Sequence, residues 1–186
     1  MVEYILGNYL VETGKITKEQ LLEWIDCARL APSSINLQML KFRPVNDPCE
    51  CDAMLNNTKW AGKIKDMTIP PKGHAPTAYI VICADTEVTE SAEGFQKDVG
   101  ICAQTIMLAA TEAGFGGCMI GSFSPEAVKR ELHLVKHLVP MLVLALGKPD
   151  EEVVLTDLPE GGDSSYYRKD GVHYVPKRAL EEVVIE

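Results

Sequence analysis

A group of neutral hydrogen-bonding side chains lies in the segment APSSINLQ, residues 31–38. Ser33 and Ser34 carry hydroxyls, and Asn36 and Gln38 carry amides, directly after a predicted helix. Such residues suit a polar turn, because their side chains bond readily to nearby backbone. They also suit a set of donors and acceptors directed at a polar heterocycle or a phosphate. Composition alone favours the turn.

A second candidate for binding chemistry is the basic pair Lys177 and Arg178, in the segment VPKRALEEVV. Pro176 predicts that a helix starts there, which places both cations in its first turn. Cations at that end oppose the helix dipole. An anion bound between them and the helix N-terminus would explain the arrangement. Two solvated surface charges would explain it as well.

Two further pairs have the spacing of metal ligands. Cys49 and Cys51 form a C-x-C pair, but a metal site needs about four ligands and no second cysteine pair exists. His133 and His137 are four residues apart in a helix predicted to start at Ser124, yet HLVKH lacks the glutamate of a zinc-protease motif. We therefore predict no metal site and assign these residues to ordinary structure.

The stretch at residues 93–123 organises the rest of the chain. Residues 93–113 are apolar almost all the way round a predicted helix, which indicates burial on most sides. Gly114 suits the left-handed position that ends such a helix. A buried strand is predicted next, ending in exposed backbone at Gly121 and Ser122, where glycine permits close approach of a flat ligand. Because the helix is too apolar to leave a face in water, we predict a dimer.

The remaining elements give the fold class. Thr17 and Gln20 form a capping box that starts a helix over 16–32. Strands are predicted over 41–45, 78–85 and 139–147, a short helix over 47–57, a long loop over 60–76 and an acidic connection over 150–163. Pro44 indicates an edge strand, and Trp60 is either a lid or an anchor for the loop. Alternating helices and strands indicate an α+β or α/β domain whose sheet is covered by helices on both sides.

Composition limits the classes of function. We expect the 186 residues to form one domain, 1–186, with a sizeable core. A net charge of −9 argues against nucleic acid as a partner. No apolar run reaches membrane-spanning length, and the N-terminal segment is too polar and acidic for a secretion signal. Six cysteines scattered through predicted core elements favour a reduced, cytoplasmic protein.

The ordered set of segments resembles the flavin-dependent nitroreductase family from about residue 17 to the end. The resemblance depends on ARLAPSSINLQ (28–38), WAG (60–62), PTAYIVICAD (76–85), DVGICAQTIMLAATEAGFGGCMIGSF (98–123), LALGKP (144–149) and YYRKDGVHYVPKR (166–178). It implies a homodimer whose subunits are α+β three-layer sandwiches, with a mixed, mostly antiparallel sheet. The domain would be completed by dimerisation, with FMN between the subunits.

Matching the family residue by residue implies three groups of FMN contacts. Ser33, Ser34 and Asn36 would lie near the flavin. Ile120, Gly121 and Ser122 would face its reactive nitrogen, and Lys177 and Arg178 would hold its phosphate.

The resemblance implies ping-pong turnover, in which NADH or NADPH reduces the flavin and a nitroaromatic, a quinone or a similar acceptor reoxidises it. No catalytic side chain is required, which fits a sequence without a triad or paired-carboxylate motif. The chain departs from the family at YILGNYL, Tyr4–Leu10, where a basic run is usual, and at Met39, where proline is frequent. The first departure implies weaker or differently arranged FMN binding. It motivates the alternative of a non-catalytic or altered-ligand protein.

Overall fold

A computed structural model of the chain describes residues 11–12, 15–60, 70–71, 73–90 and 93–185. Its strands are β1 (Val11–Glu12), β2 (Leu40–Val45), β3 (Ala78–Asp85), β4 (Gly116–Ile120), β5 (Leu138–Pro149), β6 (Glu152–Asp157), β7 (Tyr167–Lys169) and β8 (Val172–Lys177). Its helices are α1 (Lys18–Arg29), α2 (Pro48–Asn57), α3 (Gln96–Glu112), α4 (Pro125–Glu131) and α5 (Leu180–Val183). The segment Tyr4–Leu10 and most of the predicted loop over 60–76 lie outside the described residues. The single domain 1–186 stays a prediction.

Strand β5 is a central strand of the main sheet. It pairs antiparallel with β3 on one side and with β4 and β1 on the other, and β2 pairs with β3. Every residue of β3 is buried, as its unbroken apolar run AYIVICAD predicts. Strand β2 is an edge strand of this sheet, which confirms the prediction from Pro44. Strand β5 continues past Gly147 to Pro149, so the predicted end at Gly147 is wrong: residues 148–149 pair with β1.

Helices cover both faces of the main sheet. Trp24 of α1 and Ile106 of α3 pack with Ile80 on one face. Met54 of α2 and Val128 of α4 pack on the other face, against side chains that alternate with Ile80 along β3. Each such side chain stabilises the fold by about 1.5–3 kcal/mol when fully buried. The α+β three-layer sandwich predicted from the sequence is confirmed.

Helix α3 is buried along one face, whereas its opposite face carries exposed and half-buried side chains, so the predicted burial on most sides is wrong for the single chain. The helix begins at Gln96, and residues 93–95 form a 3-10 turn rather than its first turn. Gly114 has a φ of 79° after the helix, which confirms the left-handed position. One apolar stripe faces outward: Ile101 is 41% exposed and Leu108 is 44% exposed.

The C-terminal part forms a second sheet that the sequence did not predict. Strand β6 pairs parallel with β8, and β7 pairs antiparallel with β8. The predicted connection over 150–163 therefore contains a strand, and residues 175–177 of the predicted helix start belong to β8. β-branched and aromatic side chains favour this outcome, and the rings of Tyr167 and Tyr174 stack across the strands at 5.1 Å.

A buried ion pair ties this second sheet together. Arg168 Nη2 lies 2.8 Å from Glu151 Oε2, and Arg168 Nε donates to the same oxygen at 3.1 Å. His173 Nδ1 lies 3.4 Å from Glu151 Oε1, and both side chains are only 1% exposed. Breaking such a pair leaves an uncompensated buried charge, so the sheet is held in one register.

Candidate functional site

The predicted polar segment after α1 is a strained loop on the surface. Residues 34–36 form a 3-10 turn, and three non-glycine residues have positive φ: Ile35 at 48°, Asn36 at 56° and Gln38 at 52°. This is an outlier conformation for the β-branched Ile35, and its side chain is 90% exposed. Strain of this kind persists only where the surroundings fix it, and it is concentrated at functional sites.

A buried carboxylate fixes the loop. Asp98, in the first turn of α3, is 2% exposed. The backbone N–H of Ser34 donates to its Oδ2 at 2.9 Å, and the Ser34 hydroxyl donates to its Oδ1 at 2.8 Å. The backbone N–H of Gln38 donates to Ser33 Oγ at 3.3 Å. The two serines therefore stabilise the turn, as composition favours, while Ser34 and Asn36 remain exposed.

Sequence reasoning missed Asp98. Its signal was a carboxylate at the start of a mostly apolar helical stretch, because a buried charge needs a polar partner. The partner is 64 positions away in the sequence, so local patterns could not identify it.

A cavity lies behind the loop, between α1, α3 and β2. Its volume is about 170 Å³, and its lining includes Ala28, Ser33, Met39, Phe42 and Cys102. The Cys102 thiol donates to the carbonyl of Ala28 at 3.6 Å, and burial raises its pKa, so the thiol stays protonated.

The second predicted group lies at the end of β4. Ile120 is buried in the core, whereas Gly121 and Ser122 are exposed. A Cβ atom built on Gly121 meets nothing within 4 Å, so the surface in front of this backbone is open. The carbonyl of Ser122 accepts from Lys59 N–H at 2.8 Å, which fixes the edge against the segment after α2. The predicted exposed backbone at Gly121 and Ser122 is confirmed, whereas the strand before it is only partly buried, since Met119 is 38% exposed.

Trp60 is anchored at the point where the sequence predicts a long loop to begin. Its indole Nε1–H donates to Thr58 Oγ1 at 3.0 Å, and its ring packs on the core beneath α2 and α4. This contact supports the anchor interpretation of the residue.

The third predicted group, Lys177 and Arg178, follows a different local structure from the one expected. Lys177 ends β8 and Arg178 follows it; both are exposed. Helix α5 begins only at Leu180 and has four residues, so the argument from cations in a helix N-terminus is wrong. Arg178 Nη1 instead pairs with Glu182 Oε2 at 3.2 Å.

Neither Cys49 with Cys51 nor His133 with His137 occurs together in a group of three ligating side chains among the described residues. Burial and nearby carboxylates raise the pKa of Cys51 to about 11, while Cys49 is exposed. Helix α4 ends at Glu131, so the predicted helical pairing of His133 with His137 is wrong. His133 has a φ of 52°, and the ring of His137 lies 3.3 Å from a Glu87 oxygen.

That histidine belongs to a small cluster at the end of β3. Ligand atoms of Asp85, Glu87 and His137 lie within 4.8 Å of one another. Lys41 Nζ lies 3.8 Å from Asp85 Oδ2 and supplies positive charge to the cluster. Asp85 Oδ1 also accepts the N–H of Glu87 at 3.0 Å, so this carboxylate closes the turn after β3.

The three predicted groups lie on three different segments of the chain. No hydrogen bond or ion pair among the described residues connects the loop at 33–38, the edge at 120–122 and the pair 177–178. Each offers one part of what a planar ligand with an anionic tail requires: neutral donors and acceptors, an open backbone edge, and cations.

Comparison with known proteins shows which family the chain resembles in sequence. A profile of the nitroreductase family matches residues 11–148. A protein of Methanothermobacter thermautotrophicus (strain Delta H), provisionally named an NADH dehydrogenase/NAD(P)H nitroreductase, is 24% identical over 148 residues, covering 77% of this chain and 73% of the relative.

Solved structures show the same fold. An FMN-dependent nitroreductase from Clostridium difficile R20291 superposes with a TM-score of 0.62 at 22% identity, covering 82% of this chain and 89% of that chain. A nitroreductase family protein from Streptococcus pneumoniae TIGR4 gives a TM-score of 0.68 at 16% identity, covering 100% of this chain and 97% of that chain.

Proposed function

The chain belongs to the nitroreductase family, and we propose that it is an FMN-dependent oxidoreductase that transfers reducing equivalents from NADH or NADPH to a nitroaromatic, a quinone or a similar acceptor. The observation that carries the proposal is the strained loop at 33–38, in which buried Asp98 holds an exposed set of donors and acceptors. The names of the relatives support the cofactor and the electron donor.

The chemistry of the donor set fits FMN. Ser33, Ser34 and Asn36 offer neutral donors and acceptors for the ring edge, and Lys177 and Arg178 offer cations for the phosphate. Bound FMN would supply the redox chemistry, accepting hydride from reduced nicotinamide and passing electrons to the acceptor. The open backbone at Gly121 would let the ring lie close to the edge of β4.

This chain's residues bind and orient rather than exchange protons. The core side chain of Ile120 and the bond from Lys59 fix the β4 edge on both sides. The buried pair of Glu151 with Arg168 fixes the small sheet whose last strand ends at Lys177. Positions held in this way are preorganised for a ligand, which lowers the entropy lost on binding.

We further propose a homodimer with the site between the subunits. The outward stripe of α3, with Ile101 and Leu108, is apolar surface that a second copy would cover. Gly100 beside it has no neighbour within 4 Å of a built Cβ, so another backbone can approach closely. In the proposed dimer, groups of one copy would complete the site with groups of the other.

The chain contains no described helix with both the length and the hydrophobicity required to span a membrane. All six cysteines are free thiols. Our proposal places the enzyme in the cytoplasm, where thiols stay reduced.

The flavin absorbance of the purified protein tests the proposed FMN-dependent activity most directly. Protein purified with added FMN should be yellow, NADH or NADPH should bleach the flavin absorbance, and a quinone or a nitroaromatic should restore it. Initial rates at varied donor and acceptor should give the parallel double-reciprocal lines of ping-pong turnover. Colourless protein with no measurable affinity for FMN would refute the proposal.

The second candidate is a non-catalytic or altered-ligand protein of the same fold. The observation that favours it is the sequence YILGNYL at Tyr4–Leu10, which lacks arginine, lysine and serine. Charge-assisted bonds are the strong ones for a phosphate. Tight FMN binding without reduction by either nicotinamide would favour this candidate.

A further inference from the structure

We propose that Asp98 is a positioning residue that sets the polarity of the proposed flavin-binding loop. The buried carboxylate directs the hydroxyl hydrogen of Ser34 inward, so that Ser34 presents only an acceptor to a ligand. This inference rests on the proposed function, because its ligand is the flavin ring.

The polarity follows from the chemistry of a carboxylate. Ionised Asp98 only accepts hydrogen bonds, and both of its oxygens are within bonding distance of Ser34: Oδ2 of the backbone N–H at 2.9 Å and Oδ1 of the hydroxyl at 2.8 Å. The Ser34 hydroxyl must therefore donate inward. Ser34 is itself exposed, so the lone pairs of its oxygen are what remains for a ligand.

The neighbouring hydroxyl has the opposite polarity. Ser33 Oγ accepts from the backbone N–H of Gln38 at 3.3 Å, which leaves the Ser33 hydrogen available as a donor. Ser33 also lines the cavity behind the loop, so the exposed Ser34 oxygen is the acceptor that the loop offers to a ligand. The imide edge of a flavin ring carries an N–H that is complementary to this acceptor.

The positive φ angles make the loop depend on this anchor. Ile35, Asn36 and Gln38 adopt left-handed conformations that cost energy for residues with a Cβ. The two bonds from Ser34 to Asp98 fix the residue that precedes this run.

Asp98→Asn reverses the polarity with almost no change in shape. The amide oxygen can keep the Ser34 N–H as its donor, which places the amide NH₂ against the hydroxyl. The hydroxyl must then accept, and its hydrogen turns outward. A ligand N–H that donated to Ser34 then faces the hydroxyl hydrogen, so that two donors oppose each other. Ser34→Ala deletes the hydroxyl and removes this repulsion.

The experiment is a double-mutant cycle read by fluorescence quenching of riboflavin and FMN. Asp98→Asn should raise the Kd of riboflavin and of FMN by the same factor, about tenfold, because the contact to the ring is affected and the contact to the phosphate is not. Ser34→Ala alone should weaken both by about threefold. The double variant should bind like Ser34→Ala, so that removing the hydroxyl restores affinity in the Asp98→Asn background.

A merely structural role would give a different pattern. It predicts that Ser34→Ala leaves the Asp98→Asn defect unchanged or enlarges it. Hydrogen exchange on the flavin-free protein adds an independent readout. The Ser34 amide should stay protected in Asp98→Asn, which keeps an acceptor, and lose protection in Asp98→Ala, which has none.

The outcomes separate the two proposals. Wild-type protein that binds neither flavin would overturn the proposed function and, with it, the flavin role of Asp98. Wild-type protein that binds both flavins, with Asp98→Asn equal to it or not rescued by Ser34→Ala, would overturn the role of Asp98 alone. If Asp98→Asn does not fold, Ser34→Ala still decides: unchanged affinity for riboflavin would overturn the acceptor assigned to Ser34.

Discussion

Replacing Arg178 by alanine should weaken FMN binding and leave riboflavin binding unchanged. The two flavins share the ring and differ in the phosphate, so the comparison isolates the charge interaction. Arg178 is exposed, and its guanidinium pairs with Glu182 at 3.2 Å. To bind a phosphate, Arg178 must break its ion pair with Glu182. The Glu182 carboxylate therefore competes with the phosphate for the guanidinium.

The competitor sets the magnitude. A hydrogen bond to a charged group contributes about 1.5–3 kcal/mol, and an exposed ion pair about 0.2–1 kcal/mol. The net loss in Arg178→Ala is then about 0.5–2.8 kcal/mol, or roughly two- to a hundred-fold in the Kd for FMN. Glu182→Gln removes the competitor and should tighten FMN by up to about fivefold.

The assay is fluorescence titration of FMN and riboflavin at low and high salt. Lys169→Ala is the matched control, because Lys169 is an exposed cation of the same small sheet at the opposite end of β8. Lys169→Ala should leave the Kd of both flavins nearly unchanged, because it alters only the net charge of the protein. Equal effects of Arg178→Ala on both flavins, or a Glu182→Gln protein that binds FMN more weakly than wild type, would refute the reasoning.

Three further predictions concern packing, assembly and pH. Gly117→Ala should destabilise the fold by about 1–3 kcal/mol in urea denaturation, because its Cβ would lie 2.3 Å from the carbonyl oxygen of Ala145, whereas Gly94→Ala, with open space, should not. Leu108→Glu should convert the proposed dimer to a monomer of 20.5 kDa in sedimentation, and a dimer unchanged by the substitution would place the interface elsewhere. Burial raises the pKa of Cys51 from 9.0 to about 11, so the unfolded state loses this proton first. The free energy of unfolding should therefore fall as pH rises from 9 to 11, and fall less in Cys51→Ala; equal slopes would contradict the assignment.

The sequence predicted those elements whose signals are local and agree with their burial. The capping box of Thr17 and Gln20 is present with both of its bonds. The apolar run of β3, the edge position of Pro44 and the left-handed Gly114 follow from steric and hydrogen-bonding rules that depend on few neighbours. The main sheet and its two helical layers could therefore be predicted before the structure.

The C-terminal part could not be predicted because its determinants are non-local. Pro176 is a good first residue for a helix, yet its strand pairs with β6, which begins 20 residues before β8. The buried charges of Glu151 and Arg168 come from different segments and favour the sheet. The proposed binding role of Lys177 and Arg178 comes from the resemblance, whereas the helix-dipole reason for it is wrong, because Lys177 ends a strand.

Helix α3 couples the parts of the proposed site. Its inner face is fixed on the sheet by Ile106 and Met107, which are almost fully buried. Its first turn holds the strained loop through Asp98, and its outer stripe offers Leu108 to a second copy. Because the inner face leaves little freedom of movement, a shift of the subunit interface would be carried to the loop through the same rigid element. Loss of the proposed dimer should therefore weaken the binding of both riboflavin and FMN. Loss of the Arg178 side chain, in contrast, should weaken the binding of FMN alone.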